Sequence, residues 1–138
     1  MNKITIKDQL LALLAIGVAG AIAASTALAA NLSDKDKQFL AGYEEVHTAL
    51  VADDLSAAKA AWTELGPDGT DLSKSKSLGE ARAAFGKLSD KAVKLAAEQS
   101  GYYVAHCPMK NKDWVQTSTT ITNPYGGKGM ISCGEIKK

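Results

Sequence analysis

Beyond Met1, all the sulfur of this chain lies in two short clusters of its last third, Cys107-Pro108-Met109 and Met130-Ile131-Ser132-Cys133. Each of the two cysteines sits within three residues of a methionine. The pattern constrains the fold because the character of the chain changes at Gly101. Alanine-rich segments with helical patterning precede it, and residues suited to extended or turning backbone follow it, with little core of their own. A short non-helical segment cannot bury enough apolar surface to offset the entropy lost on ordering, so something must fasten it to the helices. A disulfide or a metal site drawn from the two clusters would each do so.

Residues 1–29 read as a secretory signal rather than as fold. Lys3 and Lys7 form a basic start, Leu10 to Ala24 is apolar, and Ala27-Leu28-Ala29 supplies a small-x-small cleavage site. The apolar run is short for a membrane span of about 20 residues. Export to the periplasm or the exterior is expected, where disulfides are chemically permitted. Residues 30–138 fit one domain. The chain has 16 Lys and Arg against 15 Asp and Glu, and no basic run with interleaved aromatics, so nothing suggests nucleic acid as a partner. After the signal no second stretch is long and apolar enough for a bilayer, so no membrane contact is expected after cleavage.

Three helical segments are expected. Ser33-Asp34-Lys35-Asp36 resembles a capping box, and Phe39, Tyr43, Val46 and Leu50 recur at helical spacing. Asp53-Asp54 breaks this helix and caps the next, whose stripe is Leu55, Ala58, Trp62 and Leu65 and whose stop is Gly66-Pro67. Residues 66–76 are turn formers and read as a loop. Ser77-Leu78-Gly79-Glu80 is a clear capping box, followed by Ala81, Phe85, Leu88, Ala92 and Leu95, with Gly86 and Ser89-Asp90 as points where this helix could split. Tyr102-Tyr103-Val104 favours an extended run into His106-Cys107, residues 117–122 are also β-prone, and Asn123-Pro124-Tyr125-Gly126-Gly127 must turn. The expected fold is mainly α: a small antiparallel bundle of three to four helices with a C-terminal loop-rich segment carrying the Cys/Met cluster.

In extended backbone, residues two apart face one side, so Cys107 and Met109 can present both sulfurs together. Met130 and Cys133, three apart, converge in a turn. Joined, they make a site of two thiolates and two thioethers, unsuited to structural Zn²⁺ but suited to Cu(I), and to Ag(I) by the same softness. The alternative is a Cys107–Cys133 disulfide with the methionines as packing; closing a loop of roughly 26 residues contributes about 3–4 kcal/mol in the chain-entropy model. His106 faces the opposite side of the strand from Cys107, and His47 lies at the edge of the first helical stripe, so both read as residues outside the ligand set. Trp62 and Trp114 read as packing. No nucleophile motif or phosphate-binding glycine loop occurs, and no enzyme activity is expected.

From Tyr102 onward the chain resembles a known family. Tyr102-Tyr103-Val104-Ala105-His106-Cys107-Pro108-Met109, Trp114, Asn123-Pro124-Tyr125-Gly126 and Met130-Ile131-Ser132-Cys133-Gly134 are similar to the periplasmic heavy-metal-binding domain of unknown function that occurs alone or fused to adaptor subunits of copper and silver efflux pumps. Residues 43–61 and 82–88 share the likeness, whereas the segment Lys110-Asn111-Lys112-Asp113 is shorter than in that family. The resemblance implies a helical bundle with a copper or related soft-metal site at Cys107, Met109, Met130 and Cys133, and copper efflux or delivery proteins as partners. The expected function is soft-metal binding in copper buffering, delivery or resistance; the alternative is a disulfide-stabilised envelope interaction module without metal.

Overall fold

The computed structural model describes residues 31–137; the expected signal segment, residues 1–29, lies outside them. Two long helices dominate, α1 (Asp34–Val51) and α5 (Leu78–Ala96), joined by the short helices α2 (Leu55–Ala60), α3 (Trp62–Leu65) and α4 (Thr70–Ser73). After α5 the chain forms β1 (Tyr103–Cys107), β2 (Lys112–Gln116) and, after a 3-10 turn at Gly127–Met130, β3 (Glu135–Ile136). These strands make one antiparallel sheet in the order β2-β1-β3, with Val104 opposite Val115 and His106 opposite both Asp113 and Glu135. The expectation of a mainly α bundle is therefore corrected: the chain is α+β, helices packed on a three-stranded sheet. Among the described residues no helix is long and apolar enough to cross a membrane.

The helix starts follow their caps. Ser33 Oγ accepts the Asp36 N–H, Asp54 accepts that of Ala57 and Ser77 that of Glu80, each satisfying a donor the helix leaves orphaned. The α5 box is shifted by one residue, because the Glu80 carboxylate reaches the Lys76 N–H at 2.7 Å. Gly86 and Ser89 do not split α5. Ser89 Oγ lies 2.8 Å from Tyr43 Oη and 2.9 Å from Tyr125 Oη, so neighbouring helix and loop engage the hydroxyl that would otherwise compete for backbone. Of residues 66–76, expected as a loop, 66–73 instead wind into a 3-10 turn and α4. Pro67 opens the turn, and the hydroxyls of Thr70, Ser73 and Ser75 donate to carbonyls three or four residues back.

An aromatic series crosses the core from helices to sheet: Phe39, Tyr43 and Phe85 stack, and Tyr125 bridges Phe85 to Trp114 with ring centroids 5.7 and 6.3 Å away. Tyr43 also accepts the Val115 N–H at 3.1 Å, tying α1 to β2. The α1 stripe Phe39, Tyr43, Val46 and Leu50 is fully buried, as are Ala81, Phe85, Leu88 and Ala92 of α5. Trp62 departs from its expected packing role and is 42% exposed, because the helix breaks after Ala60 and its face rotates.

Two polar fastenings hold the C-terminal loop to the helices. Arg82 of α5 donates to the Pro124 carbonyl, to the Leu50 carbonyl at the end of α1, and to the Asp53 carboxylate, which accepts the Lys128 N–H at 3.2 Å. Gly127, at φ +55, passes so close that a Cβ there would overlap Asp53 and Arg82. The Arg82 guanidinium, then the Lys128 N–H, hold the Asp53 carboxyl below its ordinary value. On the other side, buried His47 places Nε2 2.8 Å from the Thr122 carbonyl.

Candidate functional site

The sheet brings the two cysteines together. Cys107 ends β1, because Pro108 has no N–H to continue a ladder and Asn111, at φ +49, completes the turn into β2. Cys133 stands two residues before β3, which pairs with β1 on the other edge. Its approach depends on Gly134 at φ +142, where a Cβ would come within 2.9 Å of the His106 carbonyl and 2.7 Å of the Trp114 ring. Asn123 completes the placement. Wholly buried, it donates through Nδ2 to the Cys133 carbonyl at 2.8 Å and accepts the N–H groups of Tyr125 and Gly126 through Oδ1 at 2.8 and 3.1 Å.

Cys107 Sγ and Cys133 Sγ lie 3.1 Å apart as free thiols, the first buried and the second partly exposed. Burial by itself pushes the Cys107 thiol up. Hydrogen bonds from the Cys133 thiol, the Lys110 and Met109 N–H groups and the Asn123 amide outweigh it and hold Cys107 below the ordinary thiol range. Cys133 moves the other way because its thiol is the donor in the shared bond, with burial and the neighbouring Cys107 charge adding to the shift and Lys110 opposing it. Hydrogen bonding thus favours the charged form at Cys107 and the neutral form at Cys133.

The methionines do not complete a buried four-sulfur cage. Met109 is 76% exposed, because β1 has ended and the same-face rule for residues two apart does not apply inside the following turn. Met130 is half-buried at the end of the 3-10 turn, its backbone carbonyl accepting the Cys133 N–H at 3.0 Å. Among the described residues no three His, Cys, Asp or Glu side chains form a metal-holding group, so a soft-metal site here depends on the two thiols and on methionine sulfur. The donor chemistry fits a soft monovalent ion, since hydrogen bonds favour the charged form of one thiol and the second is partly exposed.

The histidines stay outside this pair. His106 Nδ1 lies 2.6 Å from Asp113 Oδ1, and the ring faces a polar cavity of about 430 Å³ shared with Lys87, Asp90, Lys112 and Lys137. Hydrogen bonds from His106 and Lys137 outweigh burial and keep the Asp113 carboxyl low. His47 serves Thr122, next to Asn123, and its Nδ1 has no hydrogen-bond partner, the Glu44 carboxylate standing 3.7 Å away. Trp114 is fully buried beside the pair, its Nε1 donating to Gln116 Oε1 at 2.9 Å.

Asn123, Arg82 and Asp53, which position the second sulfur cluster, have no functional signature as isolated residues. The signal available for Asn123 was Asn-Pro at a turn, where an Asn side chain commonly bonds the backbone two residues on. No family model, curated protein or solved structure matches the chain.

Proposed function

We propose that this chain is an exported protein that binds Cu(I), and Ag(I) by the same softness, between Cys107 and Cys133, in copper buffering, delivery or resistance. The observation that carries the reading is the adjacent, asymmetrically exposed thiol pair, with hydrogen bonds supporting a thiolate on its buried member. Thiolates and thioethers select soft ions over Mg²⁺, Ca²⁺ and Mn²⁺. Met130, half-buried and three residues from Cys133, is the better placed thioether; Met109, on the exposed turn, is an outer contact for an arriving or departing ion. Such an arrangement suits transfer as well as storage, because one thiol and one thioether are reachable from solvent. Partners of the copper efflux or delivery type follow from the sequence resemblance described above.

Thiol titration with and without Cu(I), on anaerobically purified protein and read beside bound-metal analysis, tests the reading. Two free thiols that become protected by one Cu(I) per chain are expected. Cys133→Ser should weaken binding far more than Met109→Leu; equal, negligible losses in competitive titration would refute the ligand assignment. The 3.1 Å separation also favours a second reading, a disulfide-stabilised interaction module without metal. Cysteines that are oxidised as purified and take up no metal after reduction would establish that alternative instead.

A further inference from the structure

We propose that Cys133 is a site of thiol–disulfide exchange with an external disulfide and that Cys107 resolves the mixed disulfide formed there, closing an intramolecular bond. The inference stands on geometry and does not require that the pair hold a metal.

The two sulfurs lie within 3.1 Å of each other but differ in access. Cys107 has no exposed surface, covered by the turn that follows β1 and by Asn123. Cys133 is partly exposed on a stretch whose neighbours Ile131 and Ser132 face solvent. An external disulfide can therefore reach Cys133 but not Cys107. Access is one of the factors that set exchange rates.

The surroundings suit an incoming partner. Of the three large apolar side chains exposed among the described residues, Met109 and Ile131 each lie two positions from one of these cysteines. Gly134 brings no side chain over the pair.

The steps balance. Cys133 gives up its thiol proton and attacks one sulfur of the external disulfide, forming a Cys133 mixed disulfide and releasing the first external thiolate, which takes up that proton. Cys107 then attacks Cys133 Sγ, forming the Cys107–Cys133 bond and releasing the second thiolate. The protein loses two electrons to the external disulfide, and the two thiol protons end on the released thiols. In reverse, an external thiolate attacks Cys133 Sγ and Cys107 leaves, keeping the hydrogen bonds from the Lys110 and Met109 N–H groups and the Asn123 amide. The shared chemistry is a reactive disulfide, supplied either by a small molecule such as glutathione disulfide or by an oxidised Cys-x-x-Cys protein.

The test uses metal-free, reduced protein and mass analysis of quenched samples, with glutathione disulfide in one arm and an oxidised Cys-x-x-Cys protein in the other. Wild type should pass through a transient adduct to an intramolecular disulfide in at least one arm, and the faster arm identifies the source. Cys107→Ser should accumulate a stable adduct on Cys133. Cys133→Ser should be modified at Cys107 at least about tenfold more slowly, because exchange rate depends on access. In denaturant the two variants should react alike. Equal native rates, an asymmetry that persists in denaturant, or a wild-type adduct that never resolves would each overturn the proposal. Should Cys107→Ser not fold, rapid alkylation of native wild type replaces it: Cys133 must be labelled first, and labelling of Cys107 first overturns the proposal. Because no copper is present, failure here leaves the metal titration to stand or fall separately.

Discussion

Replacing Asn123 with Ala tests the account of how Cys133 is placed. The side chain is wholly buried and satisfies one carbonyl and two N–H groups, on Cys133, Tyr125 and Gly126. Each such bond contributes about 0.5–1.5 kcal/mol net, and a buried backbone group left without a partner costs about 1–3 kcal/mol. Water reaching part of the emptied space limits the total, so Asn123→Ala should lose about 3 kcal/mol. Domains of this size have only about 5–15 kcal/mol of stability. Urea denaturation of the reduced, metal-free protein, followed by circular dichroism, measures the loss as a lower midpoint at unchanged slope. The same variant should expose Cys133, so its reaction with an aromatic disulfide reagent should quicken in the absence of urea. Asn123→Asp separates the roles. It keeps the acceptor for Tyr125 and Gly126, loses the donor to Cys133, and sets a negative charge beside Cys107, which should raise the Cys107 thiol. A loss below about 1 kcal/mol in Asn123→Ala, with unchanged thiol kinetics, would refute the reasoning, because the three bonds would then be no better than those water provides.

Further outcomes follow from the same structure. Gly127→Ala should destabilise by about 1–3 kcal/mol in thermal unfolding, since it combines a left-handed φ with overlap on Asp53 and Arg82. Trp62→Gln should change stability by less than about 0.5 kcal/mol, because Trp62 is exposed away from the core; a loss of core-like size would contradict its placement. Alkaline stability should fall late. Burial raises Tyr125 from 10.0 to about 12 and raises Tyr43 well above its ordinary value, so their un-ionised forms favour the folded state. The Tyr125 contribution, about 2–3 kcal/mol, is complete below pH 10 and is lost as pH rises through 12. A stability profile over that range should flatten in Tyr125→Phe, and an unchanged profile would exclude the assignment.

The helical half was legible because its signals are periodic and local. The α1 stripe and the three N-caps stand where the residues put them. Of the sheet, β1 was legible as the extended run into His106-Cys107, but β2 and β3 were not, for reasons visible in their residues. β2 carries Lys112, Asp113 and Gln116 among five residues, so it does not alternate, and Gln116 is buried only because Ser118, Thr120, Thr122 and Trp114 bond its amide. β3 has two residues, too few for any period. The β-prone residues 117–122 form no strand, since Gln116 draws that backbone into a loop around its own side chain. At the site, the meeting of Cys107 and Cys133 could be anticipated from the chain's sulfur pattern, whereas the outward turn of Met109 depended on where β1 stops.

The fastenings at Thr122, Pro124 and Lys128 have a kinetic consequence. His47 bonds a residue 75 positions later, Asp53 also bonds one 75 positions later, and Arg82 bonds one 42 positions later. Contacts of such long sequence separation must close large loops before they bring any gain, so they belong late in folding. Helices α1 and α5 can form early from local contacts, leaving the cysteines free to wander until the last third docks. A juxtaposed Cys107 and Cys133 is therefore a marker of finished folding, and the rate at which the two thiols become mutually reactive during refolding clocks the final step of the chain.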